Sequence, residues 1–345
     1  MYLSIVIPVY NVESYLKDCI ESLLQQIEQL EEAIEVLLID DGSTDRSGII
    51  CDEYSSQYPD VIKTYHNTNI GLLRTRRFGF LMARGEYILN CDSDDLSNST
   101  QINTLLIAIK KYKADVYLFN MEVFDSKGSN IWYQNIFGNM KEKVLTKPEI
   151  VAELISGKGA TSMCGKLFRR KCVDLSLDYS VYSNYGEDFL QSAEIYAKAE
   201  SFVYLNQALY KYRVDSGMTL RFNPNYYWDY RRVCKYIDSL EALRILENYE
   251  ERMALRLMNI LGRSITQTRF FCHFRYDKLK LYLQEIEMDD YLLSKRKYYA
   301  KIREGLQRDY QILLPLFFEK HYVILFILLK LKNIQVKLKL NEKLI

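Results

Sequence analysis

Four runs of apolar, β-favouring residues, each stopped by a polar turn and followed by residues at helical spacing, constrain this chain more than anything else in it. Leu3-Ser4-Ile5-Val6-Ile7-Pro8-Val9-Tyr10-Asn11 reads as a buried strand ending at Pro8 and then a turn. Tyr15, Leu16, Cys19, Ile20, Leu23, Leu24 and Ile27 follow as one face of a helix, with Ser14 the expected N-cap. Glu35-Val36-Leu37-Leu38-Ile39 repeats the rhythm, running into Asp40-Asp41-Gly42-Ser43-Thr44-Asp45 and a helix to about Tyr54. Val61 to Tyr65 leads through Asn67-Thr68-Asn69-Ile70-Gly71 into a helix expected to end near Gly85. Tyr87-Ile88-Leu89-Asn90 is the fourth strand.

Strands alternating with helices require right-handed crossovers, hence a mainly parallel sheet with helices on both faces. Ligands in such sheets sit beyond the carboxyl ends of the strands, so Tyr10-Asn11, Asp40-Asp41 and Asp92 to Asp95 are expected at one crevice. The fourth strand ejects three carboxylates, Asp92, Asp94 and Asp95, into a loop. Alternate residues of an extended chain point the same way, so Asp92 and Asp94 can face one cation. All-oxygen ligation suits Mg²⁺ or Mn²⁺, whose remaining positions are filled by water and phosphate oxygens. The helix carrying Arg74, Arg76 and Arg77 offers a guanidinium fork for phosphate.

Further along, Asp115 to Asn120 is expected to add a strand, Met121 to Lys147 a hairpin or loop, and Pro148 to Ser156 a short helix. Gly157 to Phe168 is a small-residue loop entering a strand, and Tyr204 to Val214 a strand before the polar turn Asp215-Ser216-Gly217-Met218-Thr219. Glu187 and Asp188 fall at a helix N-terminus, where acids are favoured. Leu240, Leu243, Leu246, Leu255, Met258 and Leu261 mark helices, giving a layered α/β domain over 1–225 and a helical region over 226–345. Tyr322 to Leu329 is apolar and Lys330 to Leu340 alternately basic and apolar, a tail suited to an anionic membrane surface or to packing against protein.

Composition removes several classes. A net charge of +1 supplies no field for nucleic acid. Seven cysteines without CxxC pairs, and three scattered histidines, argue against a zinc cluster and against His-based catalysis. No GxGxxG follows the first strand and no GxxxxGK[ST] occurs, against dinucleotide oxidoreductases and P-loop NTPases. No apolar stretch reaches the ~18 residues needed to span a bilayer. With a start lacking a basic n-region, the chain is expected in a reducing cytoplasm, the tail able to rest on the inner membrane face.

Together these motifs resemble the family 2 glycosyltransferases of GT-A fold, the group that builds bacterial capsules, exopolysaccharides and O-antigens. The resemblance rests on Ser4 to Asn11, Ile39 to Asp45, Asn69-x-Gly71 with Arg76 and Gly79, and Gly85-Glu86-Tyr87-Ile88 before Asp92-x-Asp94-Asp95. It covers roughly 1–120 strongly and continues more loosely to about 220. It implies a Rossmann-like catalytic domain with a helical appendage, a UDP-sugar donor, a glycan or lipid-linked acceptor and an inverting displacement. Carried over by position, Pro8, Tyr10 and Asn11 line the nucleotide pocket and Asp41 accepts the uracil N3–H. Asn69, Gly71 and Arg76 hold the base and phosphate side, Asp92 with Ser93 lies at the ribose, and Asp94 and Asp95, joined by Asp92, form the metal set. Asp188 becomes the general base, with Glu187 positioning the acceptor or Asp188 itself, while Lys166 and Arg213 fall toward the acceptor, Arg213 with the Ser216 to Thr219 turn closing over the diphosphate. The chain departs from the pattern at Arg77, where such enzymes commonly carry Asn, and at Cys164, where many carry Trp or Asn. The alternatives are a nucleotidyltransferase, which the absence of a Gly-rich phosphate loop disfavours, and a sugar-nucleotide-binding assembly subunit without turnover, disfavoured by intact acids. Oligomerisation is left open.

Overall fold

The computed structural model describes residues 2–125, 132–138, 140–157, 159–174, 176–182, 185–214, 223–268 and 275–342, those from 333 onward as backbone. The chain forms two compact units, residues 1–217 with 240–243, and residues 218–239 with 244–345.

In the first unit the opening rhythm becomes β1 (Leu3–Val9), α1 (Leu16–Ile27), β2 (Ile34–Asp40), α2 (Ser47–Gln57), β3 (Ile62–His66), α3 (Leu72–Met82) and β4 (Tyr87–Asn90). The short β5 (Leu96–Ser97), α4 (Gln101–Tyr112), β6 (Val116–Phe124), β7 (Trp132–Gln134), β8 (Lys143–Leu145), α5 (Lys147–Ser156), β9 (Lys166–Arg169), α6 (Glu187–Lys198) and β10 (Phe202–Arg213) complete it. One sheet runs β3-β2-β1-β4-β9-β6-β10-β5, with β7 on β6 and β8 on β10. β3, β2, β1 and β4 are mutually parallel, as are β6 and β10, whereas β9 joins β4 to β6 antiparallel to both.

Alternation along β1 sorts the core. Leu3, Ile5, Ile7 and Val9 join one buried cluster with Leu16, Cys19, Ile20 and Leu23 of α1 and Ile102 and Leu105 of α4. Each large aliphatic residue buried this way contributes about 1.5–3 kcal/mol. Val6 faces the other way and meets α3, where Gly79 lets helix and sheet touch: a Cβ there would lie 2.3 Å from Val6 Cγ1 and 3.2 Å from Ile39 Cγ1. At the far end of the strands, Glu35 is buried and accepts from Ser4 Oγ at 2.6 Å and from Arg84 N and Nε at 2.7 and 2.9 Å.

Several local expectations shift. α1 begins at Leu16 with Tyr15 in the cap position and no side-chain cap, so Ser14 does not cap it. α3 stops at Met82, with Ala83 extended, short of Gly85. β6 reaches Phe124 rather than Asn120 because β10 pairs with it along that length, and β7 folds back on it as a hairpin arm. Gly128 and the Asp215 to Thr219 turn lie outside the described residues.

The second unit is helical: α7 (Tyr226–Ser239), α8 (Tyr249–Gln267), α9 (Tyr276–Glu287), α10 (Asp290–Arg296), α11 (Tyr299–Ile302), α12 (Arg308–Phe318) and α13 (Tyr322–Glu342). α8 is its centre, packed by α7, α10, α11 and α12. Asp289 caps α10 and accepts from Tyr227 Oη at 2.7 Å and Arg231 Nε at 2.9 Å, which ties α7 to it. Among the described residues no helix is long and apolar enough to cross a membrane.

Candidate active site

The parallel register brings the strand ends to one edge: Val9 pairs with Asp40, and Val6 with Asn90. The ladder continues past the strands, Asp41 N donating to Val9 O at 2.8 Å and Cys91 N to Val6 O at 3.0 Å. Tyr10-Asn11, Asp41 and Asp92 therefore leave the sheet side by side.

At the β1 and β2 ends, Pro8 is buried in register with Ile39, and Tyr10 is 47% exposed. Asn11 takes a positive φ of 51°, and its Oδ1 accepts from Thr44 N at 2.8 Å, locking the two loops together. Asp41 is buried, and its two oxygens accept from Ile70 N at 2.8 Å and Gly71 N at 2.9 Å. Gly71, at φ +88°, makes the turn that starts α3, while Asn69 just before it is exposed. Asp41 thus fixes where α3 begins, and a carboxylate with lone pairs remaining can still accept an imide N–H.

Five residues into α3, Arg76 is 1% exposed. Its Nη1 donates to Asp188 Oδ1 at 2.6 Å, and its Nη2 to Asp92 Oδ1 and Oδ2 at 2.8 and 3.0 Å. Burial opposes the guanidinium charge, yet Asp92 and Asp188 outweigh it and raise its pKa further. Asp92 likewise stays ionised against burial because Arg76 sits beside it, helped by Asn90 Nδ2 at 3.1 Å and Cys164 Sγ at 3.1 Å. Burial, with Asp92 and Asp95 nearby, pushes the Cys164 thiol well up, so it is a donor here. Arg76, expected on the phosphate side, has both arms of its fork engaged by carboxylates in the structure. Arg77 is also buried, donating to Asp174 O and lying over the Tyr179 ring at 4.3 Å, while Arg74 is exposed.

The acidic loop is held from β10. Tyr210 Oη donates to Asp95 Oδ2 at 2.7 Å and accepts from Asp92 N at 3.0 Å. Arg213 N donates to Asp95 Oδ1 at 2.8 Å, and Arg213 Nε to Asp94 O at 2.8 Å. Arg213, expected at the acceptor, is buried against this loop, its guanidinium over the Tyr15 and Phe124 rings. Ser93 is buried and Asp94 half-buried. Burial together with Asp92 and Asp94 raises Asp95 well above the carboxylate range. That crowding is what a divalent cation would relieve, and with the Cys164 thiol protonated the donors are oxygens, so the loop fits Mg²⁺ or Mn²⁺. One oxygen each from Asp92 and Asp95, with Cys164 Sγ, lie within 4.8 Å of one another.

Gly186, at φ +82°, turns the chain into α6, whose first residues are Glu187 and Asp188. Burial and the adjacent Asp188 push Glu187 up to about 8, so near neutrality it is largely protonated beside an ion-paired Asp188. Lys166, expected at the acceptor, is fully buried and donates to Ala160 O at 3.0 Å and to Ser192 Oγ, stitching α6 to the loop before β9. Burial, partly opposed by Asp188, lowers its pKa to about 7. Tyr210 and Asn90 were missed by sequence reasoning: a Tyr in Tyr210-Lys211-Tyr212-Arg213 signals only a strand until its partner is known.

Residues 4–174 match the family model described as Glycosyl transferase family 2. The chain is 29% identical over 288 residues to Glycosyltransferase GlyG of Streptococcus pneumoniae serotype 4, covering 83% of this chain and 89% of GlyG. It is 29% identical over 289 residues to GlyA of the same organism, covering 79% of this chain and 40% of GlyA, so it spans less than half of that relative. Minor teichoic acid biosynthesis protein GgaB of Bacillus subtilis is 27% identical over 259 residues, 74% of this chain and 28% of GgaB. Among solved structures, S. aureus TarS 1–349 superposes with a TM-score of 0.67 at 19% identity, covering 94% of this chain and 89% of that one. Its complex with UDP-GlcNAc gives 0.60 at 20% identity, covering 89% and 93%. At these identities the superpositions establish the GT-A-like fold.

Proposed function

Residues 4–174 make this chain a member of the family 2 glycosyltransferases, and from that premise we propose that it moves a sugar from a UDP-sugar to a hydroxyl of a cell-surface glycan by a single inverting displacement. The observation that carries this reading is one guanidinium, Arg76, holding two carboxylates from distant parts of the chain, Asp92 beyond β4 and Asp188 on α6. Reading Asp92 as the donor-side acid and Asp188 as the acceptor-side acid is supported by their sharing this one side chain. The UDP-GlcNAc seen in the TarS complex and the teichoic acid named for GgaB support the donor and acceptor classes.

Asp41, at the base of the crevice, accepts the uracil imide; a cytosine ring would leave that carboxylate facing an acceptor, which gives base discrimination. Asp94, with Asp95 and Asp92, would hold Mg²⁺ or Mn²⁺, which when bound neutralises charge on the departing diphosphate. Asp188, held by Arg76, takes the acceptor hydroxyl proton on the face opposite that leaving group. Glu187, protonated, donates a hydrogen bond toward the acceptor or Asp188.

Asp188→Asn is expected to leave UDP binding within about threefold and to lower kcat by ~10²–10⁴-fold, the usual worth of a general base. UDP release from a panel of UDP-sugars and calorimetric UDP titration read the two quantities. An equal loss of UDP affinity would reassign Asp188 to binding, and UDP affinity indifferent to Mn²⁺ and Mg²⁺ would remove the metal.

A peripheral membrane contact is the second reading, and it rests on α13. Leu325 and Leu329 are buried, while Val323, Ile324, Ile327 and Leu331 are about half exposed on a helix that also carries Lys330 and Lys332. That arrangement suits insertion beside anionic headgroups. Co-sedimentation with phosphatidylglycerol vesicles, lost in Ile327→Glu, is the expected result; no binding, or self-association abolished by the same change, would place a protein on this face instead.

A further inference from the structure

We propose that Arg76 is a positioning residue that sets the spacing between the donor-side carboxylate Asp92 and the acceptor-side base Asp188, and that it is not a ligand of the diphosphate. The inference deepens the glycosyltransferase reading and rests on the base assignment made there.

Asp92 is fixed independently of Arg76. Asn90 Nδ2 and Cys164 Sγ reach its two oxygens at 3.1 Å each, and Tyr210 Oη accepts from its backbone N–H at 3.0 Å. α3 is fixed as well, at its start by the Asp41 carboxylate on Ile70 N and Gly71 N, and along its length by the close approach of Gly79 to Val6. Asp188 sits on the first turn of α6, and among the described residues its side chain takes Nη1 of Arg76 at 2.6 Å. Position therefore passes from the sheet edge, through Asp92 and the guanidinium plane, to the base.

The fork suits this task. A planar guanidinium presents separate N–H groups to two carboxylates at a set angle, whereas an ammonium is a single point on a flexible stem. Asp92 and Asp188 together hold the Arg76 charge, and buried Lys166 stands nearby. A diphosphate taking either of the N–H groups now held by Asp92 and Asp188 would leave that acid crowded and unpaired. Nε is buried and, among the described residues, has no hydrogen-bond partner.

The test compares Arg76→Met, Arg76→Lys, Asp188→Asn and the Arg76→Met/Asp188→Asn double variant, with Mn²⁺ present. Calorimetry measures UDP and uridine affinity, and UDP release measures turnover of whichever UDP-sugar the parent protein accepts. Arg76→Met should lower kcat about 10²-fold while changing UDP and uridine affinity by the same small factor. The double variant should be no slower than the slower single variant, since an absent base cannot be misplaced. Arg76→Lys should regain part of the kcat; if Arg76→Met does not fold, Arg76→Lys carries the same comparison. A tenfold or larger loss confined to UDP, with uridine unchanged, would make Arg76 a phosphate ligand and overturn the proposal, as would losses that multiply in the double variant. Full turnover by Asp188→Asn alone would sink the base assignment itself, a result distinguishable from a UDP-specific loss in Arg76→Met.

Discussion

Gly79→Ala tests how tightly the site depends on the seating of α3. A methyl at this position would lie 2.3 Å from Val6 Cγ1 and 3.2 Å from Ile39 Cγ1. Carbon atoms in a protein interior settle about 3.5–4.0 Å apart, so the first contact is short by more than about an ångström. Val6 has little freedom to retreat, because β1 is bonded to β2 on one side and β4 on the other. The helix must move instead. Overpacking of this kind costs about 1–3 kcal/mol, and replacing a mid-helix glycine by alanine returns about 1 kcal/mol. The net loss of about 0–2 kcal/mol corresponds to a Tm lower by at most ~8 °C. Catalysis should suffer more. Arg76 rides on the same helix, and a shift near an ångström removes hydrogen bonds that now measure 2.6 and 2.8 Å to Asp188 and Asp92. A displacement of that size costs about 10²-fold in rate. The assay is UDP release alongside a thermal melt, with Val6→Ala/Gly79→Ala as the control, since trimming Val6 removes the atom that clashes. The double variant should recover turnover while remaining less stable than the parent. Gly79→Ala with parental turnover, or a double variant as slow as the single, would refute the claim that helix seating sets the site.

Glu35→Ala should show the opposite balance. Removing the buried carboxylate strands Ser4 Oγ and the Arg84 donors that it accepts at 2.6–2.9 Å. The expected cost is about 1–3 kcal/mol, a Tm lower by ~2–12 °C, with UDP affinity unchanged because the knot lies at the strand starts. Glu187 supplies a pH test. With its folded pKa pushed up to about 8 from an ordinary 4.5, the folded chain keeps a proton that the unfolded chain has released, so stability falls as pH rises across that window. Glu187→Gln should flatten that part of the Tm–pH curve, and an unchanged slope between pH 5 and 8 would assign the titration elsewhere.

What the sequence determined by itself is the strand-loop-helix rhythm and the edge at which its polar turns collect. Local chemistry suffices there: the apolar, β-favouring runs from Leu3 to Val9 and from Ile34 to Asp40, separated by a helix, read as buried strands joined by a crossover, and they pair in parallel. The acidic cluster at Asp92 to Asp95 and the pair Glu187-Asp188 were legible for the same reason, because buried or crowded acids are costly and their positions at element ends are marked. Which charges meet which was decided only by the tertiary structure. Arg76, Arg77 and Arg213 are all basic residues on amphipathic elements, and nothing local distinguishes a phosphate ligand from a buried brace. The fold turns Arg76 inward to two carboxylates and packs Arg213 beneath the acidic loop, and it buries the Lys166 amine against α6. A partner tens of residues away leaves no trace in the spacing around a side chain, so ion pairing across the sheet edge exists only once β4, β9, β10, α3 and α6 have come together.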